Sequence, residues 1–126
     1  MKTTTEIGRY GENVAADYLK SKKYKILVQN FHASHNEIDI IAEDKKYIVF
    51  VEVKTRSYSP ISTFEYETPA SAVTYTKQKR VLAAAQAYLS SHPTHKTPRL
   101  DVVEVYLSKQ PIRVEKINHI EDAFFN

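Results

Sequence analysis

The 126-residue chain contains no cysteine. A disulfide framework, a zinc knuckle and a thiol nucleophile are therefore excluded, and a reducing compartment is expected. No apolar run nears the roughly 18 residues that a membrane helix requires. The opening Met1-Lys2-Thr3-Thr4-Thr5-Glu6 has no apolar segment of the secretory kind. These absences predict a cytoplasmic protein with no membrane association. Glycine is limited to Gly8 and Gly11, both within an expected helix. A nucleotide phosphate loop needs clustered glycines after a strand, so no small-molecule cofactor is expected. Acidic residues are missing between Glu67 and Asp101, where Lys77, Lys79, Arg80, Lys96 and Arg99 all lie. Such a stretch can face phosphates, although charge alone favours a solvated helix face and loop. The net charge of +3 is too small to decide.

The length suits one domain, residues 1–126. Ile7, Gly11, Val14, Ala15, Tyr18 and Leu19 fall on one stripe at helical spacing, predicting a helix from about Thr5 to Ser21. Thr3, Thr4 or Thr5 can cap it. Strands are predicted at Tyr24–Val28, Glu37–Ala42 and Tyr47–Lys54, with Glu43-Asp44-Lys45-Lys46 as a hairpin turn. A polar loop from about Thr55 to Pro69 follows, then a helix from Ala70 or Val73 to Ser90. Strands at Leu100–Leu107 and Ile112–Ile117, joined by a turn at Ser108–Pro111, complete the pattern; the tail from His119 is ambiguous. The order is helix, three strands, helix, two strands. It predicts an α/β fold with a mixed central sheet flanked by helices.

The run Tyr47–Val53 is almost continuously apolar, which marks a strand buried on both faces. Glu52 and Lys54 interrupt its end, and residues two apart project to one side. A simple Glu52–Lys54 ion pair and a functional site are equally compatible with that pattern. Asp39, on the preceding strand, shifts the balance. Hairpin pairing brings it towards Glu52, and two close carboxylates need a proton or a cation between them. Such a pair suits Mg²⁺ or Mn²⁺. Asp is disfavoured inside strands, so Asp39 is the better candidate and Glu37 the likelier bystander, with a swap of roles left open. Glu12 sits at the margin of the first helix's apolar stripe, where pairing with Arg9 is the simpler reading. Lys77 shares a helix face with Val81, Ala84 and Tyr88; it points into a site or snorkels to solvent. Arg80 lies at the edge of that face, and Lys79 is expected in solvent. His92 and His95 have no evident partner ligands. Tyr58, Phe64 and Tyr66 could stack on bases, but loop anchoring is the simpler role.

The segments GRYGENVAADYL, NEIDIIAEDKKYIVFVEVKTRS, KQKRVLAAAQAYL and RLDVVEV, spanning Gly8 to Val105, resemble the YraN family of predicted bacterial endonucleases. That family is placed in the PD-(D/E)xK superfamily, with its restriction-endonuclease-like fold, and is similar to archaeal Holliday-junction resolvases. The resemblance implies that Asp39 and Glu52 are the motif's two acids and Lys54 its lysine, with Glu12 matching the glutamate of the first helix. Ile38 stands where the motif has proline, as is usual in the family. Asn36 replaces the glycine that commonly precedes the acidic strand, and the loop SYSPISTFEYETPASAV lacks a glycine before the second helix.

The implied activity is metal-dependent hydrolysis of phosphodiester bonds in DNA. Asp39 and Glu52 would hold Mg²⁺ or Mn²⁺, with the Val53 carbonyl as a further ligand and Glu12 acting through water or a second metal. Lys54 would assist the attacking water, and Lys77, Arg80 and Arg56 would grip flanking phosphates. Analogy extends this to branched DNA, and a symmetric junction cut would require a homodimer. The rival expectation is a non-catalytic module that docks onto DNA or a DNA-processing partner; an RNA-directed nuclease ranks third.

Overall fold

A computed structural model describes residues 4–58 and 74–123. The elements are α1 (Thr4–Ser21), β1 (Lys25–Ala33), β2 (Asn36–Glu43), β3 (Tyr47–Ser57), α2 (Tyr75–Ser91), β4 (Thr97–Ser108) and β5 (Arg113–Ile120). The strands form one sheet in the order β1-β2-β3-β4-β5. β3 and β4 run parallel and the remaining neighbours antiparallel. The helix–three strands–helix–two strands order read from the sequence is the order observed.

β3 explains why the sheet needs a helix on each face. Its apolar residues alternate between two cores. Val49 and Val51 pack with Ala15, Ala16 and Leu19 of α1. Ile48 and Phe50 pack with Val81, Ala84, Ala85 and Tyr88 of α2. Each fully buried aliphatic or aromatic side chain stabilises the fold by roughly 1.5–3 kcal/mol. The parallel pairing of β3 with β4 requires a long crossover, and α2 lies within it.

Turn chemistry sets the ends. In the β2–β3 hairpin the Asp44 carboxylate accepts N–H bonds from Lys46 at 2.9 Å and Tyr47 at 2.7 Å, an Asx turn. Thr74 caps α2 by accepting the Lys77 N–H at 3.1 Å. Several boundaries differ from the sequence reading. β1 extends to Ala33, pairing with β2 beyond the predicted Val28. β3 continues to Ser57 because Thr55, Arg56 and Ser57 pair with Val105, Tyr106 and Leu107 of β4, where a loop was expected. β4 begins at Thr97, and β5 runs to Ile120, taking in His119. α1 starts at Thr4, so Thr5 lies inside the helix and cannot cap it. The expected start of α2 at Ala70 or Val73, and the loop residues Phe64 and Tyr66, lie outside the described residues. The Tyr58 N–H bonds the Leu107 carbonyl at 2.8 Å.

Gly11 sets the seat of α1 on the sheet. A Cβ there would overlap the Thr55 hydroxyl and lie 3.1 Å from the Thr55 Cβ. Gly11→Ala should therefore cost about 1–3 kcal/mol in chemical denaturation. Thr55→Ala removes the overlapping hydroxyl and should restore part of that loss. An alanine variant as stable as the parent would show that the helix can rise off the sheet freely. The neighbouring Gly8 has open space around it.

Candidate metal and phosphate site

The antiparallel ladder between β2 and β3 ends at the Ile40–Val51 pair. The next residues along the two strands are Asp39 and Glu52. Here β2 departs from strict alternation: Ile38 packs with Ile41 and Phe50, whereas Ile40 packs with Ala15 and Leu19. Ile38 and Ile40, two residues apart, therefore face opposite cores, and Asp39 between them does not follow simple strand alternation. On β1 the residue opposite is Asn30, in the left-handed conformation with φ 57°. The local twist frees Asp39 from the ladder, and its Oδ2 accepts the Val53 N–H at 2.8 Å. That backbone bond anchors the carboxylate beside Glu52.

Glu52 is 6% exposed, and its Oε1 is buried without a hydrogen-bond partner. Such an atom carries an uncompensated desolvation cost. Burial, and then the charge of Asp39, push the Glu52 carboxyl up to about 8; Lys77 and Lys54 oppose the shift. Burial likewise raises Asp39, against the Val53 N–H bond and the charge of Lys77. Two acids held close together in a dry setting is the arrangement that a divalent cation would relieve.

Two cations bear on the pair, Lys77 and Lys54, to different degrees. Lys77 Nζ lies 3.8 Å from Glu52 Oε2, so this residue faces the site rather than solvent. Lys54 is half-buried two residues beyond Glu52 and acts on it electrostatically. Arg80 is exposed. Lys79 is exposed too, its Nζ 4.7 Å from the centre of the Tyr75 ring. Arg56 is committed elsewhere: its Nε donates to Glu104 at 2.7 Å, where the carboxylate side chain is 2% exposed. Tyr106 and Asn118 also donate to Glu104, at 2.8 and 3.3 Å.

Glu12 borders the site from α1. Its Oε1 is buried without a partner. Burial and the charge of Asp39 raise its carboxyl, while a hydrogen bond with Asn30 and the charge of Arg9 oppose them. A recess of about 240 Å³ opens here, lined by Thr5, Gly8, Arg9, Glu12 and Asn30. Asn30 is the residue that sequence reasoning missed. Its signal was an asparagine within a strand-forming run, the type that tolerates left-handed backbone. Glu37 points elsewhere, its carboxylate 3.6 Å from the ring of His32 across the β1–β2 ladder. His92 is held against α2: its ring stacks on Tyr88 with centroids 4.1 Å apart.

Among the described residues no three His, Asp or Glu side chains converge on one point. The Asp39–Glu52 pair is nevertheless the usual protein share for Mg²⁺, which keeps several waters. The orphaned oxygens of Glu52 and Glu12 fit that demand. The donor set is all oxygen, as a hard cation prefers.

A second polar cluster, absent from the sequence reading, lies beneath α1. Asp101 is fully buried and accepts Arg99 Nε and Nη2, both at 2.9 Å, the Asp122 N–H at 3.0 Å, and His119 Nε2 at 2.7 Å. Arg99 also donates to the Tyr24 hydroxyl at 2.6 Å. Every strong donor has an acceptor, which marks a structural network rather than an open site.

No helix among the described residues is long and apolar enough to cross a membrane. The model of the uncharacterised protein family UPF0102 matches residues 11–105, which include Glu12, Asp39, Glu52 and Lys54. A UPF0102 protein of Caldanaerobacter subterraneus subsp. tengcongensis is 44% identical over 119 residues, covering 94% of this chain and 93% of that one. A UPF0102 protein of Clostridium botulinum strain Loch Maree is 46% identical over 105 residues, covering 82% and 81%. With both ends of the candidate site inside the matched segment, the chain belongs to the UPF0102 family.

Proposed function

We propose that this protein is a metal-dependent nuclease of the PD-(D/E)xK kind that hydrolyses phosphodiester bonds in DNA. The observation that carries the reading is the buried Asp39–Glu52 pair, with a partnerless Glu52 oxygen, Lys77 beside it and Lys54 acting on it electrostatically. Asp39 and Glu52 would hold Mg²⁺ or Mn²⁺ together with the Val53 carbonyl, and Glu12 would reach the same centre through water. When bound, the ion supplies Lewis-acid charge and a water of lowered pKa. Asp39 is held in place for this task by the Val53 N–H. Lys54 orients the attacking water and offsets negative charge as it builds on the phosphate. Lys77, drawn in by Glu52, and the exposed Arg80 can grip adjacent phosphates. Arg56 supports this surface from its place on Glu104. Branched DNA and a homodimer carrying two such sites extend the reading by analogy.

The scattered third acid favours one other reading, a DNA-docking module with no catalysis. Incubating the protein with Mn²⁺ or Mg²⁺ and end-labelled four-way junctions, flaps, single strands, duplex and matched RNA decides between them. Metal-dependent cutting, abolished in Asp39→Asn and Lys54→Ala, is the expected result. Well-folded protein that binds these substrates equally in all three forms and cuts none is instead a docking module.

A further inference from the structure

We propose that the edge of the fold around the β2–β3 turn carries a second nucleic-acid contact, a lysine-lined recess that holds a phosphate backbone. The recess has a volume of about 230 Å³ and is lined by Lys23, Lys25, Lys45, Lys96, Glu43 and Asp44. Its lysines come from four separate places: the turn after α1, the start of β1, the β2–β3 turn and the approach to β4. The two acids are already engaged. Glu43 pairs with Lys96 at 3.2 Å rather than with Lys25, which sits opposite it on β1. Asp44 accepts its own turn's N–H groups. Lys23, Lys25 and Lys45 are exposed and form no ion pair among the described residues. Four lysines against two carboxylates leave the lining net positive, a surface suited to a polyanion.

The backbone at Lys23 is the second and independent observation. α1 closes with Lys23 N–H bonding the Lys20 carbonyl and Tyr24 N–H bonding the Leu19 carbonyl, both at 3.0 Å. This is the Schellman pattern, whose left-handed residue is usually glycine. Here that residue is lysine, at φ 73°. A side chain in this conformation is strained, so glycine would be the more stable residue here. The helix dipole accounts for positive charge at Lys20 and Lys22. It does not account for Lys25, Lys45 and Lys96 on other elements. The recess lies four residues along β2 from Asp39, roughly 13 Å at about 3.3 Å per residue. One polynucleotide could therefore reach both places. The inference takes from the nuclease reading only the identity of the polyanion.

Strain and charge make opposite predictions for Lys23→Gly. The variant should melt higher, by roughly 2–5 °C, yet bind duplex DNA more weakly. Fluorescence anisotropy of a labelled duplex, titrated with salt in the absence of divalent cation, reads the second effect. For the variant combining Lys23→Gly, Lys25→Gln and Lys45→Gln, the slope of log K against log salt should shrink by roughly 2–3, about 0.9 for each phosphate that is no longer neutralised. Mn²⁺ uptake at Asp39 and Glu52, followed by electron paramagnetic resonance, should be unchanged. Parental affinity and slope in the triple variant would overturn the proposal and leave the nuclease reading standing. A parent chain that binds acidic phospholipid vesicles but not duplex would overturn it as well; the carboxylate site would still be judged by its own Mn²⁺ uptake.

Discussion

Glu52→Gln should make the metal-free protein more stable at pH 8 by on the order of 3 kcal/mol, and should weaken Mn²⁺ binding by about 100-fold or more. The sign follows from burial. The Glu52 carboxyl is pushed up to about 8 by desolvation and by Asp39. In the unfolded chain it ionises near its ordinary value of 4.5. Between those values the folded state holds more protons than the unfolded state, so stability falls as pH rises. It is greatest below about 4.5 and is fully lost once pH passes about 8. Asp39, also raised, acts in the same direction. A glutamine keeps the shape of Glu52, removes the titration and relieves the repulsion of Asp39. Urea denaturation of both proteins at several pH values, in chelator, reads the difference. A parent stability that stays level from pH 5 to pH 8 would show that water reaches the pair and would remove the case for a stored charge cost. In the parent, metal uptake must expel the proton that Glu52 holds, so Mn²⁺ affinity should climb with pH up to about 8 and level off above it.

That cost explains which parts of the site could be read in advance. Acids at the end of an apolar strand are visible in a sequence because period-two spacing shows both the buried run and its interruption. Glu52 and Lys54 were legible in this way, and so was the hairpin that brings Asp39 beside them. The two-sided core was legible because β3 is apolar at consecutive positions. The break in alternation at Asp39 was not, because it depends on Asn30 of the neighbouring strand adopting φ 57°. Nor was the role of Arg56. Its partner Glu104 is 48 residues away, and the parallel β3–β4 register that joins them exists only once α2 has crossed the sheet. Strand ends shifted for the same reason. Arg56 and Ser57 belong to β3 through pairing with β4, not through their own preferences.

The Asp101 network is the other feature formed wholly by long-range contacts, and it carries the largest stability prediction. Asp101→Ala should cost about 3–5 kcal/mol, because it leaves Arg99, 7% exposed, without its bidentate partner. His119 and the Asp122 N–H are deprived of their acceptor in the same step. The ionised form is strongly preferred: burial alone would raise the Asp101 carboxyl, but bonds from His119, Arg99 and Asp122 hold it below the usual carboxylate range. Its contribution is therefore present above the ordinary value of 3.8 and is lost as pH falls through the depressed one. Acid unfolding should begin here, while the weakening that accompanies rising pH between about 4.5 and 8 comes from Glu52. Replacing both Arg99 and Asp101 with apolar residues of similar volume tests whether the pair itself stabilises the fold. Buried ion pairs often give way to well-packed apolar side chains at little cost. The double variant Arg99→Met, Asp101→Leu should accordingly recover much of the stability missing in Asp101→Ala. A loss below about 1 kcal/mol in the single variant, against the range expected for a broken buried pair, would mean that water replaces the carboxylate and that the ends of β4 and β5 are held by packing alone.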